Sequence, residues 1–131
     1  MNLYEEMTRE QQRGLLEVFD NPCPERDYRI THTCHEFTSV CPKTGQPDFA
    51  VITIDYVADR LCLELKALKF YFQAYRQQGI FYEAVINRIL DDLVSVCRPR
   101  RMTVRGEFSV RGGFSSVVTA EHGQNEQAEN P

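Results

Sequence analysis

From Asp27 onward, apolar and polar positions alternate along the chain. Tyr28, Ile30, His32, Cys34 and Glu36 fall on one side of an extended segment, and Arg29, Thr31, Thr33, His35 and Phe37 fall on the other. A cleaner strand follows over Phe49 to Val57, rich in β-branched residues, and the turn-prone stretch Lys43 to Pro47 connects the two. After a short extended piece at Leu61 to Leu63 the period lengthens. In ELKALKFYFQAYRQQ, Leu65, Leu68 and Phe72 recur at helical spacing, as do Ala67, Phe70 and Ala74, and Gly79 is the expected stop. YEAVINRILDDLVSVC predicts a second helix with Val85, Ile89 and Leu93 beside Ile86, Leu90, Val94 and Cys97, ending before Pro99. RMTVRGEFSVRGGFSSVVTAEH then predicts two strands meeting near Gly112 and Gly113.

The order strand, strand, helix, helix, strand, strand predicts an α+β domain in which two helices cover one face of a four-stranded sheet. Its body spans residues 27–122. Residues 1–26 form a lead-in with a short helix expected from about Thr8 to Phe19, ended by the breaker cluster DNPCPER. Residues 123–131 form a polar tail whose composition predicts disorder.

A length of 131 residues allows one real core but little room to enclose a substrate and a cofactor, so a pocket shared between subunits is expected. At 42% hydrophobic and 26% charged the composition is that of an ordinary globular protein, which sets aside a disordered chain. A net charge of -4 weakens any general affinity for nucleic acid or anionic lipid, although Arg100 to Arg111 is locally basic. The start MNLYEEMTRE lacks the basic patch and apolar run of a signal peptide, and no stretch reaches the ~18 apolar residues of a membrane span. The expectation is a cytoplasmic protein. Five cysteines without C-x-x-C spacing argue against a disulfide framework, so each thiol is read alone.

Cys41 lies in SVCPKTGQPD, a segment whose prolines and glycine forbid regular structure. One reading is a small, half-buried apolar residue. The other is a nucleophile, which needs a base, a cation or N–H donors to draw its pKa down from ~8.5. Asp48 stands at the entry to the next strand, where a loop folding back brings its carboxyl toward the sulfur; the alternative is a turn-capping aspartate after Pro47. His32, Cys34, His35 and Cys41 suggest zinc by residue type, but alternation puts His32 and Cys34 on the opposite face from His35, and no metal site is assigned. Lys66 and Lys69, three apart, present two cations on one helical face, suited to phosphates and equally to solvent. No G-x-G-x-x-G follows a strand, so no dinucleotide fingerprint is present.

Taken together, FTSVCPKTGQPDFA, ELKALKFYFQAYR, FYEAVINRILDDL and RGEFSVRGG resemble the NADPH-dependent 7-cyano-7-deazaguanine reductases, the nitrile reductases of queuosine biosynthesis for tRNA modification. The likeness runs in order from about Asp27 to Glu121, and Glu64, Lys66, Lys69 and Tyr71 match that family's Glu-x-Lys-x-x-Lys-aromatic signature. The resemblance implies the tunnelling fold, with subunits joining their sheets into an oligomeric barrel, as a decamer of two pentamers.

It also implies that Cys41 attacks the nitrile carbon to form a covalent thioimide while Asp48 protonates nitrogen. Glu83 would recognise the deazaguanine edge, aided by its place near a helix N-terminus, and Leu63, Glu64 and Leu65 would form a second substrate-contacting segment. Tyr82 stands where the family often has histidine. A phenol with pKa near ~10 can donate or stack but cannot relay protons as an imidazole does at pH 7, so Tyr82 is assigned to substrate binding. Lys66, Lys69, Arg111 and Gly112 would contact NADPH. Two other functions share these elements: a zinc-dependent cyclohydrolase-like enzyme on the same fold, and a non-catalytic module binding RNA through the arginine-rich strands.

Overall fold

A computed structural model of the chain describes residues 7–123. The first six residues of the lead-in and all of the predicted tail except Gly123 lie outside the described residues. Nine elements follow in order: α1 Arg9–Arg13, β1 Val18–Asp20, β2 Arg29–Val40, β3 Pro47–Val57, β4 Leu61–Leu63, α2 Leu65–Gln73, α3 Tyr82–Cys97, β5 Arg101–Arg111 and β6 Phe114–His122.

The main sheet is antiparallel throughout, in the order β2-β3-β5-β6. Central β3 shows the alternation that its sequence demands: Asp48, Ala50, Ile52, Ile54 and Tyr56 are buried beneath the helices, and the residues between them face the other side. Helix α3 buries Val85, Ile86, Ile89 and Leu93 against this face. Helix α2 lies beside it, antiparallel, since Tyr71 meets Asp92 while Tyr75 lies under Arg88. β5 and β6 are joined by the two residues between the partners Arg111 and Phe114. Gly112 and Gly113 have φ of 58° and 84° there, the left-handed pair that a tight hairpin consistent with sheet twist requires.

Several expectations differ from what is observed: α2 ends at Gln73, capped by Ala74, well before Gly79, and the two ends of SVCPKTGQPD belong to β2 and β3. The alternation of β2 is interrupted by a register shift between Cys34 and Phe37, which inserts an extra residue opposite β3. Phe37 is thereby turned onto the same face as Ile30, His32 and Cys34 and becomes part of the core. A strict period of two placed it on the other face.

The helix expected to run to Phe19 is also shorter. It ends at Arg13, and β1 pairs instead with β4, register Val18↔Leu63 to Asp20↔Leu61. Long-range pairing overrides the weak helical period after Gly14. The N-terminal segment is therefore packed into the body, with Gln12 fully buried.

Candidate active site

The last register pair of β2 and β3, Val40↔Pro47, frames the cysteine loop. The Cys41 N–H donates to the Gln46 carbonyl at 2.8 Å, and Gly45 N–H donates to the Cys41 carbonyl at 2.9 Å. This closure wraps the chain around the sulfur. The Thr44 hydroxyl, followed by the Thr44 and Lys43 N–H groups, holds the half-exposed thiol below its ordinary pKa. Partial desolvation and the charge of Asp48 oppose them.

Asp48 begins the buried stripe of β3 and is 5% exposed. Its Oδ1 accepts from the Tyr82 hydroxyl at 3.3 Å and pairs with Arg111 Nη1. The other guanidinium arm of Arg111 donates to Gln46 Oε1 at 2.7 Å. Arg111 thus ties the hairpin tip to the acid and to the residue that closes the cysteine loop. The ring of Tyr82 stacks on Phe108, centroids 3.8 Å apart and planes 13° apart. Burial, then the charge of Asp48, pushes its phenol above the usual value. Glu83 is exposed in the first turn of α3, next to this cluster. Cys41, Asp48, Tyr82, Glu83, Arg111 and Gly112 therefore share one end of the sheet.

The remaining predicted residues lie elsewhere. Glu64 is the N-cap of α2, its Oε1 accepting from Lys66 N at 3.0 Å and its Oε2 from Ala67 N at 2.7 Å. These N–H groups, that of Ala67 first, lower its pKa. Leu63 is buried, its N–H donating to the Tyr56 hydroxyl at 2.9 Å, whereas Leu65 is exposed. Tyr56 is eight positions beyond Asp48 on β3, about 26 Å at the rise of an extended strand. Glu64 and Cys41 thus occupy opposite ends of one subunit. Lys66 and Lys69 are exposed on α2, and neither forms an ion pair among the described residues. Lys69 and Leu65 border a cavity of about 450 Å³ between α2 and the bulged part of β2, also lined by His32, Cys34 and Arg76.

Thr44 and Gln46 were not singled out from the sequence, although both surround Cys41. The signal available was their position in a turn that must fold back on itself between paired strands, aiming consecutive N–H groups inward.

A family profile described as QueF-like protein matches residues 47–127. A protein of Magnetococcus marinus named NADPH-dependent 7-cyano-7-deazaguanine reductase is 55% identical over 92% of this chain and 94% of its own length. Proteins of the same name are 56% identical in Chlorobaculum tepidum, over 88% of this chain and 98% of theirs, and 60% identical in Chlorobium luteolum, over 82% and 93%. A crystal structure of the archaeosine synthase QueF-Like in the apo form superposes with a TM-score of 0.66 at 22% identity, covering 75% of this chain and 94% of that one. The last likeness bears on the fold alone.

Proposed function

Because the chain belongs to the family of QueF-like proteins, we propose that it is an NADPH-dependent oxidoreductase that reduces the nitrile of 7-cyano-7-deazaguanine to the aminomethyl group of 7-aminomethyl-7-deazaguanine. One observation carries the mechanism. The thiol sits in a loop closed by the Cys41 N–H on Gln46, and Arg111 joins the side chain of that same Gln46 to the buried carboxylate of Asp48. Neither a zinc cyclohydrolase nor an RNA-binding module needs that pair, and the three relatives at 55–60% identity are named reductases.

Cys41 adds to the nitrile carbon. A sulfur–carbon bond forms, one carbon–nitrogen π bond breaks, and nitrogen takes a proton. Asp48, ion-paired at rest, is an acceptor that receives the proton leaving sulfur and delivers it to that nitrogen. Tyr82 and Arg111 hold the carboxyl in place, and the stack on Phe108 fixes the direction of the phenol. Glu83 offers a carboxylate to the N–H edge of the deazaguanine.

When bound, NADPH supplies hydride, in two successive deliveries from two molecules for the four-electron change. Lys66 and Lys69 fit its phosphates as exposed cations without carboxylate partners among the described residues. Arg111 is engaged with Asp48 and Gln46, so a phosphate contact from it requires exchange of those bonds. Gly112 sits beside it in the hairpin turn, where the lack of a side chain permits close approach.

Leu63, Glu64 and Leu65 lie at the far end of the sheet from Cys41, so the complete pocket forms where that end of one copy meets the nucleophile end of another. Supporting this are, among the described residues, the edges of β6 and of β2 before Val40, which carry no further strand, and the exposed Phe49, Phe81, Val110 and Phe114. A homo-oligomer follows, with a decamer of two pentamers as the specific reading. No described helix is long and apolar enough to cross a membrane, and the enzyme is read as cytoplasmic.

The test is intact mass spectrometry of protein mixed with the nitrile in the absence of NADPH. One adduct per chain is expected, and none with Cys41→Ala. Labelling of a different cysteine, or NADPH consumption at one equivalent per nitrile instead of two, refutes the mechanism.

A further inference from the structure

Gln12 is 0% exposed although it belongs to a five-residue helix at the edge of the chain. Its polar atoms have partners on both helices. Nε2 donates to the Tyr71 carbonyl at 3.2 Å, and Oε1 accepts from Gln78 Nε2 at 2.8 Å and from Arg88 Nη2 at 2.7 Å. A second arm of Arg88 donates to Gln78 Oε1 at 3.3 Å, and Gln78 Nε2 also donates to the Ala74 carbonyl at 2.8 Å. The side chain of Gln78 is thus bonded through both its ends.

The backbone of the same residue holds the approach to the nucleophile. Val40 N–H donates to the Gln78 carbonyl at 3.0 Å, and the Val40 carbonyl accepts from Ile80 N–H at 3.1 Å. Pro42 packs over Gly79, whose position leaves only 3.5 Å between an added Cβ and Pro42 Cα. The segment 78–80 therefore grips the residues immediately before and after Cys41. Gln12 and Arg88 hold that segment against the helices.

We propose that Gln12, supplied by the N-terminal helix, is a positioning residue for the reaction, acting through Gln78 and Val40 to hold the Cys41 loop in its reactive shape. This rests on reading Cys41 as the nucleophile. The loop keeps its wrap through the Cys41 N–H on Gln46 and the Gly45 N–H on the Cys41 carbonyl, and that wrap begins at Val40, where the 78–80 segment is bonded. Loss of the Gln12 acceptor removes one of the bonds that orient Gln78 and the shortest bond made by Arg88, leaving Gln78 held only by the Ala74 carbonyl and Arg88, so the grip on Val40 loosens while the hydrophobic core stays intact.

The experiment follows alkylation of each cysteine by iodoacetamide across pH in the full-length protein, read by peptide mass spectrometry, together with kcat and KM for the nitrile. In Gln12→Ala and in Gln78→Ala, Cys41 should react about fivefold more slowly at pH 7 with its profile displaced upward in pH. Cys23 and Cys34 serve as internal references and should be unchanged. kcat should fall about fivefold with KM within about twofold, the pattern of lost positioning rather than lost binding. Gln12→Glu keeps the acceptor for Arg88 and Gln78 but loses the donor to the Tyr71 carbonyl, and should restore the parent profile in part. A Cys41 profile identical to the parent in either folded alanine variant overturns the proposal. So does failure of Gln12→Glu to rescue a defective Gln12→Ala. Should the parent form no nitrile adduct while the alkylation profiles shift as described, the assigned reaction falls and the positioning by Gln12 stands.

Discussion

Gly106 of β5 lies directly beneath Ile86 of α3, and substituting it by alanine probes how the site's supports are seated. A Cβ there would lie 2.6 Å from Ile86 Cδ1, 3.2 Å from Ile86 Cγ1 and 2.9 Å from Phe108 Cε2. Ordinary carbon contacts are about 3.5–4.0 Å, so the overlap is about 1 Å on one side. Ile86 is fully buried and Phe108 is 4% exposed, which leaves neither a free direction in which to yield. Overpacking of this kind costs about 1–3 kcal/mol. The backbone of Gly106 is not among those with positive φ, so alanine also recovers about 0.4–1 kcal/mol by restricting the unfolded chain. The steric term wins, with a net loss of about 1–2 kcal/mol.

The assay is urea unfolding at fixed protein concentration on a double-mutant cycle of Gly106→Ala with Ile86→Val. Ile86→Val deletes the Cδ1 atom that clashes most. Alone it should cost about 0.5–1.5 kcal/mol, yet in the alanine background it should restore roughly 1 kcal/mol. Simple additivity, or no loss of stability in Gly106→Ala, refutes the reasoning. Because Phe108 carries the stack of Tyr82 and α3 carries Tyr82 itself, the single variant should also form the nitrile adduct more slowly than the double variant.

Two further outcomes follow from the site. Tyr82→Phe keeps the stack on Phe108 and loses the hydrogen bond to Asp48, so steady-state kcat/KM should fall about fivefold, and Tyr82→Ala should fall further because it also loses the ring contact. An unchanged rate in Tyr82→Phe would mean that the 3.3 Å bond to Asp48 does not orient it. The N–H bonds to Glu64 lower its pKa in the folded state, so its contribution to stability is present above its unfolded pKa of about 4.3 and disappears as pH falls through the folded value. Urea midpoints of the parent and Glu64→Gln should therefore differ most near neutrality and converge as pH falls below the folded pKa, with a pH-independent gap counting against the cap as the cause.

Much of this protein can be read from the one-dimensional pattern because burial imposes a period. The stripe from Ala50 to Tyr56, the face of α3 from Val85 to Leu93 and the diglycine between β5 and β6 each express a local rule, and the order of elements then leaves few ways to layer them. The sequence also singled out Cys41, a reactive residue type in a turn-forming stretch, and Asp48 at the entry to the next strand, where the structure has it as the second residue of β3. What local rules cannot reach is pairing between distant segments. The bulge that turns Phe37 inward, the capture of Val18–Asp20 by β4, the double grip of Arg111 on Asp48 and Gln46, and the bonds of Gln12 to Tyr71, Gln78 and Arg88 all join residues far apart in sequence. Their geometry exists only after the chain has closed, because a hydrogen bond is set by where two groups finally stand and not by the spacing of either along its own strand. Chemistry could thus be assigned to the sulfur from its neighbours in sequence, while the groups that tune and hold it were chosen by the fold.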